Sequence, residues 1–441
     1  MDINSKQMQH SFSIFKQAQL SLAQFGILIT LLACSQTSNG QTLKPDPDNG
    51  GIVTQKGFGA ITVVPELGKA RHIAVDKNGT IFVKLRKLEK GHGIYVLKDQ
   101  NGDGKADDIK GYGDYTGTGI GIYNNYLYAS SDSSIYRYPI ETGMNTLDDK
   151  KRETIVTGIP YRPQHEAKSI AFDGHGKLFV NVGAPSNACQ TQDRVNASLG
   201  QNPCPLLETF GGIWQFDANK ANQSFATGTR YATGLRNTVA LDWDTHSNQL
   251  YAVPHGRDQL NTLFPAYFTD EQNAELPSEE FFQIKQGGDY GWPYCYFDHL
   301  QNKKILAPEY GGDGKKTTGC DTREQPIIAF PGHWAPNDLL FYHGSQFPEK
   351  YKHGAFIAFH GSWNRAPLKQ GGYFVAFVPF KDGKPSGDWE VFAEGFAGGP
   401  EIKSPRDAKH RPMGLAEGPD GSLYISDSVV GTVWRVIYSG N

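Results

Sequence analysis

The chain has 441 residues and a net charge of −3, with 43 Lys and Arg against 46 Asp and Glu, so it lacks the basic excess and basic stripe that nucleic acid would require. Gly occurs 51 times and aromatics make up 12% of the residues. With long amphipathic helical windows scarce, this composition favours short strands joined by many turns over an α/β enzyme, and nothing beyond the N-terminus is long and apolar enough to be a membrane-spanning helix.

In chain order, Lys6 and Lys16 precede the apolar run FGILITLLAC, the pattern of an export signal. The run ends Leu31-Leu32-Ala33-Cys34. It resembles a bacterial lipoprotein signal over residues 1–34, lipidated at Cys34, the rival being a plain secretory signal with an incidental Cys. Residues 35–58 then read as a polar, Pro/Gly-rich tether, and 59–441 as a single catalytic domain. The expected location is outside the cytoplasm, in the periplasm or cell envelope, with membrane attachment only through the lipid.

From residue 72 one pattern recurs: a short apolar run, a turn with Asp, Asn or Gly, then a second run containing Leu-Tyr or an apolar-aromatic pair. It appears in HIAVDKNGTIFVKL (72–85), GIGIYNNYLYASS (119–131), SIAFDGHGKLFVNVG (169–183), VALDWDTHSNQLYAVP (239–254), LLFYHGSQFPEKYKHGAFIAFHG (339–361) and GLAEGPDGSLYISDS (414–428). A hairpin unit repeated about six times, unable to bury both faces alone, predicts an all-β, six-bladed β-propeller. The wide gaps at 185–235 and 257–335 read as long loops on one face, walling a central pocket.

Between the first two copies, DQNGDGKADD places Asp99, Asn101, Asp103 and Asp107 at positions 1, 3, 5 and 9 of an EF-hand-like loop, with Gly104 at 6 but Lys110 where the last acid belongs. This loop is a candidate structural calcium site or a solvated Asp/Asn/Gly turn. Apart from Cys34, the cysteines are Cys189, Cys204, Cys295 and Cys320, an even number in an exported chain. Two disulfides are expected, with three pairings open; local pairing would staple two irregular loops, and the absence of CxxC disfavours zinc.

Several polar residues stand at corresponding edges of the repeats: Arg71, His165, Arg236 with Asn237, Arg411, and Trp363, Asn364 and Arg365 in FHGSWNR. In a propeller the starts of the innermost strands converge on one axial mouth. A mouth rich in Arg suits a polyanionic ligand held by charge-assisted hydrogen bonds.

His165 before SIAFDGHGKLFVNVG, SNAC at 186–189, GLRN at 234–237, HGRDQLN at 255–261, GGDYGWPYCYFD at 287–298, APNDLLFYHGSQFP at 335–348, FHGSWNR at 359–365 and RPMGLAEGPDGSLYISD at 411–427 together resemble the pyrroloquinoline quinone (PQQ)-dependent glucose/sorbosone dehydrogenase family, nearest its L-sorbosone dehydrogenase-like branch. The resemblance covers roughly residues 60–440. It implies oxidation of a sugar or sugar-derived aldehyde at C1 by hydride transfer to the C5 of PQQ, with His165 as general base and Arg236 polarising the C5 carbonyl. It further implies cofactor contacts from Arg71, Asn237, Trp363, Asn364, Arg365 and Arg411, and a Ca²⁺ ion held by the backbone carbonyls of Gly256 and Arg257. Lys168 departs from the family, which often has Arg there, and Glu166 follows the base directly.

The chain has no CxxCH haem motif, full GxGxxG, GxSxG, Walker loop or HExxH. Electrons would therefore pass to a separate carrier, a cytochrome or a membrane quinone. The competing reading is a non-catalytic propeller binding carbohydrate or a protein partner. A calcium-dependent propeller hydrolase is disfavoured because its site would be built on carboxylates.

Overall fold

The computed structural model describes residues 43–141 and 146–440, so the expected signal segment and Cys34 lie outside the described residues. Among the described residues six sheets of four or five strands form the blades, and two short two-stranded hairpins lie outside them. The innermost strands of the six sheets are Ala70–Val75, Ile120–Tyr123, Ile170–Phe172, Ala240–Asp244, Pro336–Phe341 and Pro412–Glu417, one per repeat, and they define blades 1 to 6. The sheets are antiparallel except for one two-residue parallel pairing at the outer edge of blade 2 and one at that of blade 3. Each recurring motif supplies the first two strands of its blade. In blade 3, for example, Ala171 pairs with Phe179 across the Asp173 turn, whose carboxylate accepts from the backbone N–H groups of His175 and Lys177.

The apolar runs are buried on both faces because each blade packs between two neighbours. Phe179 serves a cluster with Leu241 and Phe282 of blade 4, while Val180, the next residue, serves one with Tyr128 of blade 2. Blade 6 is closed by the N-terminal strand Phe58–Val64, which pairs antiparallel with Val433–Tyr438, Ala60 opposite Val436. This closure joins the two ends of the ring without leaving an open edge at the seam. Phe58 meets Phe347 edge-on at 4.8 Å and Phe392 at 5.0 Å, tying the closing strand to blade 5.

The tether expected over 35–58 gives way to ordered structure before residue 58. Ile52 is buried, Val53–Thr54 adds a fifth strand to blade 5, and Trp434 Nε1 donates to Gly50 O at 3.0 Å. A polar, Pro/Gly-rich composition concealed a segment that packs through one Ile and its backbone.

The two wide gaps hold outer strands as well as loops: Gly212–Asp217 and Thr229–Thr233 in blade 3, Glu279–Ile284 and Ile328–Phe330 in blade 4. The long connections between the second and third strands of these blades fall on the face where the innermost strands begin. Cys189 is bonded to Cys204 and Cys295 to Cys320, so both disulfides are local. The second closes a segment with a sequence separation of 25. Replacing both Cys295 and Cys320 by Ser is expected to cost about 2–4 kcal/mol through the loop entropy released in the unfolded chain, measured as a loss in denaturant midpoint times slope.

Innermost strands of neighbouring and next-but-one blades are sewn together along the axis by buried polar groups. His72 Nε2 donates to Asn337 O at 2.7 Å, Leu415 N to Asp338 Oδ2 at 2.7 Å, and Phe341 N to Asp242 Oδ2 at 2.8 Å. These bonds satisfy backbone groups that the innermost strands cannot pair on their axial side.

Candidate functional site

His165 ends the connection from blade 2 to blade 3 with a left-handed backbone, φ 56°. That conformation is costly for a residue with a side chain and persists only where the surroundings hold it. Its Nδ1 lies 2.5 Å from Ala184 O, so the ring's N–H goes to the carbonyl and Nε2 keeps its lone pair. Gly183 permits this placement, since a Cβ there would come within 2.6 Å of His165 O. Burial, followed by the charge of Arg236, holds the imidazole well below its ordinary pKa, so it is neutral at neutral pH.

Arg236 is buried and splayed over four acceptors: Asn187 O at 3.1 Å, Asn187 Oδ1 at 3.2 Å, Gly256 O at 2.7 Å and Asp258 Oδ2 at 3.0 Å. Burial alone would raise the Asp258 carboxyl, but Arg236 and Arg194 hold it below the carboxylate range. Beside them Glu279 accepts from Gly256 N and Ala335 N, and burial pushes it up to about 7. Asn237 donates toward His255 Nδ1 at 3.5 Å, and His255 Nε2 reaches Pro336 O at 2.9 Å. Burial and then Arg236 pull His255 down to about 4, which leaves it neutral.

Two other guanidiniums stand differently. Arg71 donates only to Thr118 Oγ1 at 3.0 Å and to the Met413 thioether at 3.1 Å. Arg411 donates to the carbonyls of His360 and Gly361. Among the described residues neither has a carboxylate in ion-pair contact, although both are largely enclosed; burial, then Arg86, pulls Arg71 down to about 9, with Arg411 also contributing. A partly buried cation without an anion is costly unless a ligand supplies one.

These residues line one mouth with two adjoining lobes. The first, about 400 Å³, holds Arg194, Arg236, Asp258, Glu279, Trp363 and Arg411. The second, about 300 Å³, holds Arg71, Thr118, Asp132, Glu166 and Asn237. His165 and His255 border both. Each lobe is of the size that takes a small organic ligand.

The structure thus brings together His165, Arg236, Asn237, Arg71, Arg411, Gly256 and the half-exposed Trp363, and it turns other candidates away. Arg365 bonds to Gly332 O at 3.0 Å and to Glu275 Oε1 at 2.5 Å, bracing the helix Asp270–Glu275. Asn364 accepts from Gln259 N and donates to His333, wholly buried. The Arg257 side chain is spent on a buried pair with Glu309 at 2.7 Å. In the 99–107 loop the expected calcium ligands face backbone instead: Asp99 accepts from Gly102 N and Gly104 N, Asn101 from Asp103 N, Asp103 from Lys105 N, and Asp107 from Gln100 N. Among the described residues no three His, Cys, Asp or Glu side chains converge as a metal set.

Sequence reasoning missed His255, Asp258, Glu279, Arg194 and His360, the last lining the second lobe. His255 and Asp258 flank the chosen Gly-Arg pair in HGRD and could have been found there; Glu279 and Arg194 lie in segments with no repeat to index them.

A model of the TrAA12-like family matches residues 52–439. An uncharacterised protein of Borreliella burgdorferi is 30% identical over 382 residues, 84% of this chain and 86% of its own length. A pyrroloquinoline quinone-dependent sugar dehydrogenase of Hypocrea jecorina is 23% identical, covering 90% of this chain and 91% of that one. Among solved structures, the calcium structure of a Trichoderma reesei carbohydrate-active enzyme of family AA12 superposes with a TM-score of 0.71 at 20% identity, covering 91% of this chain and all (100%) of that one. The holo PQQ domain of the Coprinopsis cinerea pyranose dehydrogenase gives 0.69 at 20% identity, covering 88% and 97%.

Proposed function

The chain belongs to the TrAA12-like family, and from that premise we propose that it is a PQQ-dependent oxidoreductase acting on a sugar or sugar-derived aldehyde at C1, with His165 as the base. The observation that carries this reading is the pair of enclosed guanidiniums, Arg71 and Arg411, that face the mouth without carboxylate partners. A ligand bearing several carboxylates, as PQQ does, complements such a pair. The names of similar proteins in Hypocrea jecorina and Coprinopsis cinerea support the same class.

The donor set suits this cofactor. Arg71 and Arg411 would take its carboxylates, Arg236 would face the quinone oxygen, and Asn237 and Trp363 would border the ring. A Ca²⁺ ion is a hard, oxygen-seeking cation; the Gly256 and Arg257 carbonyls would hold it, with the Asp258 and Glu279 carboxylates close by. When bound, PQQ supplies a two-electron acceptor for a hydride. His165 Nε2 takes the proton of the substrate's C1 hydroxyl, its ring fixed by the bond to Ala184 O. The Arg236 guanidinium, locked by four acceptors, presents fixed positive charge where negative charge develops. Reduced cofactor would pass electrons to a separate cytochrome or quinone carrier, and a lipid on Cys34 would hold the enzyme at an envelope membrane.

The test is reconstitution of the purified protein with PQQ and Ca²⁺. The expected result is a bound-quinone absorbance and sugar-dependent reduction of an artificial dye. A protein that binds no quinone would not be a dehydrogenase of this kind, and its mouth would then be a carbohydrate- or partner-binding surface.

A further inference from the structure

Asp132 lies in the turn after the second strand of blade 2, Tyr126–Ser130, and borders the second lobe together with Thr118 and His165. Turn aspartates elsewhere in this fold cap their own backbone, as Asp76, Asp173 and Asp244 do. Asp132 does not. Its turn is already held by Ser131, whose N–H donates to Ser134 O at 2.8 Å and whose Oγ accepts from Ser134 N at 3.0 Å.

The neighbouring cations are also engaged elsewhere. Lys84 Nζ donates to Gly93 O and Tyr115 O, Lys168 Nζ to Glu166 O at 2.7 Å, and Arg86 to Glu166 Oε1 at 3.1 Å. Lys168, Lys84, Arg86 and Glu166 act on Asp132 through charge alone, without a hydrogen bond. A half-buried carboxylate therefore faces the lobe with its acceptor sites unused. An ionised carboxylate only accepts, so its ligand must donate. The cations Arg71 and Arg86 disfavour a cationic donor here, while Asp132 and Glu166 disfavour an anionic one. A neutral polyol satisfies both constraints.

We propose that the second lobe is the sugar subsite, and that the Asp132 carboxylate accepts hydroxyl hydrogens of a neutral pyranose, which makes Asp132 a specificity-determining residue. This rests on the function proposed above. Arg71 also borders a further pocket with Arg411 and His360, so the quinone carboxylates would reach these two guanidiniums while the sugar takes the Asp132 side of the second lobe, and His165, bordering both lobes, stands between the two.

The test uses the PQQ- and Ca²⁺-reconstituted protein and its Asp132→Asn variant, which keeps the shape and removes the charge. D-glucose, D-xylose and cellobiose serve as probes, with sugar binding read by saturation-transfer NMR as well as by turnover. For the best-bound sugar, Asp132→Asn is expected to raise KM and Kd by about ten-fold or more, with kcat changed far less and the quinone absorbance unaltered. A KM and Kd within two-fold of the parent overturn the proposal, as does a parent protein that binds none of the three sugars. If the parent binds sugar in an Asp132-dependent way but no quinone, the subsite stands and the dehydrogenase reading falls.

Discussion

His165→Ala is expected to lower kcat by about 10²–10⁴-fold, the usual worth of a positioned general base, while leaving the bound-quinone absorbance in place. The split follows from geometry. The ring contributes Nε2 to the mouth, and its Nδ1 bond to Ala184 O joins the loops on either side of the first hairpin of blade 3 without touching a guanidinium, so its removal leaves Arg71, Arg236 and Arg411 with the partners they have. The pH dependence has a definite sign. Burial and Arg236 depress the imidazole, so the neutral, proton-accepting form is full above the ordinary histidine range and is lost only as pH falls through the depressed value. The acid limb of kcat/KM is therefore expected below about 6.5 in the parent, and absent from the residual activity of His165→Ala. Stopped-flow reduction of the bound quinone across pH measures both; an alanine variant with parental kcat would remove His165 from the reaction.

Arg71→Met is expected to act in opposite directions on the empty and the loaded protein. Without a ligand, the Arg71 guanidinium is enclosed with only a hydroxyl and a thioether as acceptors. Replacing such a charge with an apolar side chain of similar length is neutral or stabilising, so the melting temperature of the cofactor-free variant should stay level or rise. The same change removes a charge-assisted contact to a carboxylate, worth about 1.5–3 kcal/mol, and the dissociation constant for PQQ should rise at least ten-fold. Parallel thermal melts and quinone titrations measure the two effects. A variant that melts early yet binds PQQ as tightly as the parent would make Arg71 a structural residue and take away the main support for a tricarboxylate at this mouth.

The fold was legible because its unit is local. Each blade begins with two apolar runs about a turn, and the turn residues, such as Asp173 and Gly176 in blade 3, are fixed by short-range hydrogen bonds and a positive φ that Gly tolerates. The ordered stretch from residue 43 was not legible, because Ile52 and Gly50 gain their partners from Phe392 and Trp434, nearly a whole chain length away. The site was legible in part. Arg71, His165, Arg236 and Arg411 stand in or within a few residues before the innermost strands of their blades, and the repeat puts them at one mouth. Arg365 lies close to Trp363 in FHGSWNR and looked equivalent to them, but the residues after a second strand form a loop without a fixed direction, and its guanidinium went to Glu275.

The sequence by itself determined the number of hairpin units, the local disulfide option and the set of basic residues available to the mouth, all properties of segments a few tens of residues long. Only the tertiary structure decided which of those charges are neutralised. Arg236 meets Asp258, 22 positions away, whereas Arg71 is enclosed against Met413, 342 positions away, and meets no acid among the described residues. Burial and pairing at a propeller axis depend on loops from several blades converging at once. No local pattern encodes that convergence, so the unpaired guanidiniums and the unused Asp132 carboxylate appear only when the ring has closed.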